Sequence, residues 1–268
     1  MPQPDPHPSP PLKRFLARFV PFLYRPLRRF VHSHRGRRFH IRYQALVKRI
    51  TARAGLTVQS GPFAGMRYLE ESCSSALLPK LIGTYEDELH PTIEALLRSA
   101  PSAVVDIGCA EGYYAVGMAM RLPGTTVHAY DMDSKARSLC GELGRLNGVA
   151  ERVLIHQQFT PACLPELPSE RLLVICDVDG YEVNLFSSES AAHWRQANLI
   201  VELHDFQGLP CLETVRNCLV GSHRIELLSS RTKTPPSLQA LEHLSEADRK
   251  LAVDELRPTQ QWLVAITH

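Results

Sequence analysis

Two hydrophobic periods alternate along this chain. Short continuous apolar runs mark strands covered on both faces, and stretches with apolar residues every three or four positions mark the helices between them. The clearest run is Ala103, Val104, Val105 and Ile107, introduced by Pro101 and Ser102 and followed at once by a helix over 113–121. Further strands are predicted over 126–130, 153–156, 172–177, 198–203, 223–229 and 261–267. Asp133 reads as the N-cap of a helix running to Leu146, where Asn147-Gly148 stops it, and another helix is expected over 209–220. Upstream, 58–68 reads as a small glycine-punctuated hairpin. The stretch 74–97 reads as helices broken near Gly83 and Pro91, a segment able to fold over a ligand as a lid. Strands alternating with helices predict an α/β fold on a mostly parallel seven-stranded sheet with helices on both faces. The last two strands, joined by a loop and a short helix, suit an antiparallel closing pair.

The first fifth of the chain breaks this pattern. Six prolines among residues 1–11 leave nothing to pack, so that stretch is expected to be disordered. Leu12, Phe15, Leu16, Phe19, Val20 and Leu23 then recur at helical spacing opposite Lys13, Arg14 and Arg18, with Pro21 and Pro26 interrupting. Charge divides the chain in the same place. From Lys13 to Arg53 there are thirteen Lys or Arg and no Asp or Glu, whereas residues 54–268 carry seventeen basic and twenty-seven acidic residues. We therefore expect a disordered start and basic amphipathic arm over 1–53, and one catalytic domain over 54–268. Four readings of the arm stay open: a basic cover docked on the acidic core, attachment to an anionic membrane surface, an organellar transit peptide, and a nucleic-acid arm. No recognised nucleic-acid module accompanies it, so no nucleic-acid partner is expected. No apolar run approaches the roughly 20 residues that span a bilayer. Seven cysteines without a C-x-x-C pair read as free thiols in a reducing compartment, and a cytoplasmic protein is expected, with peripheral membrane attachment as a variant.

The stretch from Ala103 to Tyr114, AVVDIGCAEGYY, carries the first chemistry. Gly108 and Gly112 allow a sharp turn and close approach of a ligand between strand and helix. Asp106 ends the strand, and Asp131 ends the next one, where an ionised carboxylate can accept both hydroxyls of a ribose. A dinucleotide site wants G-x-G-x-x-G, whereas DIGCAEG sets Glu111 where a phosphate would lie. A nucleoside without phosphates is implied, and S-adenosylmethionine, cationic at its amino and sulfonium groups, fits. Cys109 reads as a small residue beside that ligand.

DIGCAEGYYAVGMA resembles motif I of class I S-adenosylmethionine-dependent methyltransferases. DVDGYE at 177–182 is similar to the D-x-E-G-x-E segment of the FkbM-like branch, with Asp179 where that branch usually has Glu. GTYEDEL at 83–89 and VELHD at 201–205 add to the likeness, which covers roughly residues 58–268. The resemblance implies the Rossmann-like seven-stranded methyltransferase sheet with its last strand antiparallel. It also implies O-methylation of a small molecule or sugar. N- or C-methylation at the same cofactor site, and a non-catalytic nucleoside-binding module recruited by its arm, remain alternatives.

The candidate cofactor residues are Glu86, Asp106, Gly108, Cys109, Gly112, Asp131, Met132, Phe159 and Asp177. Phe159 is the stacking candidate for adenine, and Tyr85 and Glu86 offer a ring and a carboxylate to the cationic end, unless 86–88 is simply a solvated acidic helix start. Asp177, Asp179 and His204 are the candidate catalytic residues. A neutral His204 accepts the acceptor's proton, and Asp177 or Asp179 orients it or serves instead. Those three with Glu202 also compose a hard-ligand set for Mg²⁺, although metal-free transfer is the first expectation. Glu182 is read as capping the turn after Gly180 or starting the next helix. The loop over 230–258 is expected to set acceptor choice, with Arg231 and Lys233 holding an anionic or polyhydroxylated acceptor; Glu255 and Arg257 resemble the E-x-R preceding the branch's last strand and pair with each other or serve there.

Overall fold

The computed structural model describes residues 34–73, 75–167, 170–205, 208 and 210–268. The expectations for the proline-rich start and for the helical pattern from Leu12 to Leu23 lie outside the described residues. In order, the elements are α1 (His34–Ala54), α2 (Leu77–Ile82), α3 (His90–Arg98), β1 (Ala103–Ile107), α4 (Tyr113–Arg121), β2 (Thr126–Tyr130), α5 (Ser134–Leu146), β3 (Val153–His156) and β4 (Leu172–Cys176). After them come α6 (Glu182–Leu185), α7 (Ala191–Trp194), β5 (Ala197–Glu202), α8 (Cys211–Leu219), β6 (His223–Ser229), α9 (Gln239–Glu242), α10 (Glu246–Ala252) and β7 (Gln261–Thr267).

Seven strands form one sheet in the order β3-β2-β1-β4-β5-β7-β6. β1 to β5 pair in parallel, and β7 inserts antiparallel between β5 and β6, so the α/β, Rossmann-like, mostly parallel sheet with an antiparallel last strand is present as expected. Strand alternation sends side chains to two cores. Val104, Val127, Leu173, Ile175 and Ile200 enter a cluster with α3, α4 and α5, and Val105, Val174, Leu199 and Val201 enter one with Phe186, Trp194 and Val215. Runs such as LLVIC in β4 are buried at every position because both faces are covered.

Local chemistry explains the element ends. Asp133 caps α5 by accepting the Lys135 N–H, and Ser245 caps α10 by accepting that of Asp248. Gly83 ends α2 in the left-handed region. Two expectations are modified. The hairpin over 58–68 is reduced to a single antiparallel bridge, Thr57 with Arg67. The stretch over 230–258 folds two short helices, α9 and α10, which pack with Tyr43, Leu46 and Ile50 of α1 in a third apolar cluster. Arg42 and Arg49 of α1 pair with Asp248. The part of the arm that is described thus ends one residue past the division drawn at 53, and it lies against the domain. No helix among the described residues is long and apolar enough to cross a membrane.

Candidate functional site

Sheet order reverses direction around β1, which β2 flanks on one side and β4 on the other, and the carboxyl ends at such a switch point are where open α/β sheets take ligands. The turn after β1 is sewn to its neighbours by backbone bonds. Gly108 and Cys109 N–H both donate to the Tyr130 carbonyl, at 2.8 and 2.9 Å, and Asp177 N–H donates to that of Ile107 at 2.9 Å. Gly108 has φ +89°, and a Cβ there would stand 1.8 Å from the Asp177 carbonyl oxygen, so no side chain fits. Gly112 begins α4 at φ +95° against Cys140.

Asp131 closes this turn. Its Oδ2 accepts the Ala110 N–H at 2.9 Å and its Oδ1 that of Asp133 at 2.8 Å, which fixes the carboxylate at the end of β2 with further lone pairs unspent. Asp106 lies on the α4 side of β1, 3% exposed, and its Oδ2 accepts no hydrogen bond. Burial pushes its carboxyl up to about 8, with Asp177 and Asp131 adding to the rise. Its Oδ2 is thus a buried polar atom still lacking a partner, among other acids.

Glu111 departs from the expectation that it repels phosphate. It is buried in an ion pair with Lys80 at 2.5 Å and accepts from Tyr68, Ser72 and the Cys73 N–H. Lys80 answers its charge, so what disfavours phosphate here is the set Asp106, Asp131 and Asp177. Cys109 is buried, and a hydrogen bond with Cys140 together with burial raises its thiol well above the usual range, in keeping with a small filler beside the turn.

The second half of the site is built at the ends of β4 and β5. Asp179 holds φ +52° and Gly180 φ +102°, and the turn is closed by Glu182, whose Oε1 accepts the Val178 N–H at 3.1 Å. Glu182 therefore does start a helix and cap its turn. It also does something the sequence did not reveal: the same oxygen receives Nδ1 of His204 at 2.7 Å, with both groups buried. A carboxylate only accepts, so Nδ1 carries the proton and, in the neutral ring, Nε2 carries the lone pair. Nε2 lies 3.6 Å from Asp177 Oδ1, 3.7 Å from Glu202 Oε1 and 4.0 Å from Asp179 Oδ1. Burial works against the imidazolium, yet Glu182 and the flanking aspartates hold His204 above its ordinary value. Burial pushes Asp177 up to about 7 against the pull of His204, and burial with Asp177 and Glu86 pushes Glu202 up to about 10.

Glu86 meets this group from the lid side. Its carboxylate takes Arg257 Nη2 at 2.5 Å and the Tyr114 hydroxyl, and its N–H donates to Glu255 at 2.8 Å. Arg257 also reaches Glu255 at 2.8 Å and Glu202 at 3.5 Å, so Glu255 and Arg257 do pair, and they buckle the lid to β5. Tyr85 lies with its ring 5.2 Å from that guanidinium. A cavity of about 480 Å³ opens beside Glu255 and Arg257, lined further by Phe39 and Tyr43 of α1 and by Glu70, Glu71 and Ser72.

Asp106, Gly108, Cys109, Gly112, Asp131 and Asp177 lie at the carboxyl edge of β1, β2 and β4, and Asp179 and His204 adjoin Asp177. Two candidates stand apart. Met132 is 73% exposed, and Phe159 is 2% exposed, edge-on to Tyr130 at 5.0 Å, with no open face for a stacking base. Arg231 and Lys233 are spoken for: Arg231 pairs with Asp87, and Lys233, 5% exposed, pairs with Asp87, Glu88 and Glu255. They tie the loop to the stretch over 83–89; Lys233 offers no open cation to an acceptor, whereas the Arg231 side chain stays 64% exposed.

No protein-family model matches the chain, and no curated protein matches it. Among solved structures it is similar to an O-methyltransferase from Bacillus cereus in complex with SAH, at 8% identity and a TM-score of 0.46, over 96% of this chain and 97% of that one. It is similar also to the O-methyltransferase TomG from Streptomyces achromogenes, involved in tomaymycin synthesis and in complex with SAM, at 14% identity and a TM-score of 0.46, over 67% of this chain and 81% of that one. The precorrin-6y C5,15-methyltransferase from Geobacter metallireducens gives 12% identity and a TM-score of 0.45, over 67% and 89%. At such identities no residue is carried across, and the site is read from this chain's own geometry.

Proposed function

We propose that the chain is an S-adenosylmethionine-dependent methyltransferase of the FkbM-like branch that acts on oxygen of a small molecule or sugar. The observation that carries this reading is the convergence, at the carboxyl ends of β1, β2, β4 and β5, of Asp106, Asp131, Asp177 and a His204 braced by Glu182. Asp131, anchored by two backbone donors, holds the ribose hydroxyls. Gly108 lets the turn after β1 close onto the Asp177 carbonyl, and Asp106 with its orphaned oxygen faces the cationic amino end. S-adenosylmethionine supplies a methyl carbon on a sulfonium, which the acceptor oxygen takes as the carbon–sulfur bond breaks to leave a neutral thioether. The chain's part is to position the acceptor in line, worth several kcal/mol, and to take up the hydroxyl proton on the group Asp177, Asp179 and His204. The domain over 54–268 does this work in the cytoplasm, and the basic arm contributes attachment to an anionic surface. Native mass spectrometry of the purified protein, followed by calorimetry with S-adenosylmethionine, tests the reading. A retained S-adenosyl ligand or a one-to-one binding isotherm supports it, and a protein that neither retains nor binds the nucleoside refutes it.

A further inference from the structure

We propose that Asp177, Glu202 and His204 form a binding site for one divalent first-row cation, of the class taken by mixed imidazole and carboxylate ligands. One ligand atom from each of the three lies within 4.8 Å of the other two. The separations from His204 Nε2 to Asp177 at 3.6 Å and to Glu202 at 3.7 Å are too long for hydrogen bonds. They suit two atoms bound to the same ion, because metal bonds of about 2.0 to 2.2 Å set neighbouring ligands roughly 3 to 4 Å apart. Two further features point to an ion. Glu202 has a side chain only 2% exposed, with Oε1 set against His204; its Oε2 accepts no hydrogen bond, Arg257 standing 3.5 Å away, so the carboxylate is buried with ligand capacity left over. His204 carries the outer brace of a metal-binding imidazole, an Nδ1–H donated at 2.7 Å to the buried Glu182, and its Nε2 is the nitrogen that faces Asp177 and Glu202. Glu182 is in turn held by the Val178 N–H at 3.1 Å, so the brace is rigid.

Ligand softness selects the ion. Carboxylates alone would suit Mg²⁺ or Ca²⁺, and an imidazole in the set shifts preference toward Mn²⁺, Fe²⁺ or Zn²⁺. The site stands on side-chain geometry and is independent of the methyl-transfer reading. Its use does rest on that reading: a cation there lowers the pKa of a hydroxyl brought against it, and Asp179, with a side chain 65% exposed, is the carboxylate placed to receive the proton.

The test is a titration of the chelator-stripped full chain with Mn²⁺, following free ion by electron paramagnetic resonance. One Mn²⁺ per chain is expected, binding at least tenfold more weakly in Glu202→Gln and, through loss of the brace, about 10- to 100-fold more weakly in Glu182→Gln. Asp205→Asn, whose carboxylate accepts the N–H of Leu212 and is not among the three ligands, should bind as the wild type does. Melting temperature and near-ultraviolet circular dichroism select the variants that fold, and one folded variant of the two is enough to decide the outcome. Absence of saturable binding by the wild type below millimolar Mn²⁺, or equal affinity in the wild type and a folded Glu202→Gln, overturns the proposal. Calorimetry with S-adenosylmethionine on the same samples separates the two readings. Mn²⁺ binding without nucleoside binding keeps the cation site and removes the methyl-transfer reading, and nucleoside binding without Mn²⁺ binding removes the cation site alone.

Discussion

Asp131 and Asp106 are both acids at strand ends, but their surroundings give them different work. Asp131 is tethered by two backbone N–H groups and stays open to a ligand, so Asp131→Ala is expected to weaken S-adenosylmethionine binding by about 1.5 to 3 kcal/mol for each charge-assisted bond lost. Calorimetry measures the loss, and a melting temperature close to that of the wild type confirms that the fold survives. Asp106 is buried and raised from its ordinary 3.8 to about 8. A carboxyl raised in the folded state contributes stability that is fully present below pH 4 and lost as the pH climbs through 8. Asp106→Asn should therefore flatten the fall in melting temperature between pH 5 and pH 8.5, measured without ligand. A parallel fall in both proteins would show that Asp106 does not titrate across that window.

At the scale of elements, the site depends on how closely three strand-to-helix turns approach one another. Gly108→Ala puts a methyl group into the Asp177 carbonyl at a left-handed backbone position, and it should lose nucleoside binding and lower the melting temperature together. The stretch over 83–89, within the 74–97 segment expected to act as a lid, is held differently, by ion pairs. Lys233→Ala leaves Glu88 without its buried cation and Glu255 with Arg257 alone, an effect on the order of 3 to 5 kcal/mol that urea denaturation would read. Arg231→Ala, at a side chain 64% exposed, should change stability by about 0.5 kcal/mol or less. If the two variants were equally mild, the loop would not be stapled through Lys233.

Across the whole molecule, the basic arm and the acidic domain meet in α1. Arg42 and Arg49 pair with Asp248, while Leu46 and Ile50 are buried beneath them. Removing residues 1–33 should leave the melting temperature in place and reduce co-sedimentation with anionic vesicles at low salt. Removing residues 1–54 should also expose α2, α9 and α10, at about 1.5 to 3 kcal/mol for each of Leu46 and Ile50. A truncation at 54 that melts like the full chain would return α1 to the status of a detachable arm.

Strand order along the chain, element ends and the acids at 106, 131 and 177 were legible in the sequence because they are local facts. Apolar runs of five report burial on both faces, Gly108 and Gly112 report a backbone that residues with a side chain rarely adopt, and Asp133 reports a cap; each needs only its neighbours. Pairing across long separations was not legible. Glu182 and His204 stand 22 positions apart, Arg257 and Glu86 stand 171 apart, and no period or motif tells a carboxylate that braces a histidine from one that caps a turn. Glu111 had the residue type to repel phosphate, and Lys80 removed that meaning by folding onto it. Phe159 had the residue type to stack on a base, and packing against Tyr130 used its ring. The sequence by itself determined which chemistry lies at the carboxyl edge of the sheet; the tertiary structure alone decided which charges cancel there and which stand open, because electrostatic partnership depends on distances that chain connectivity does not set.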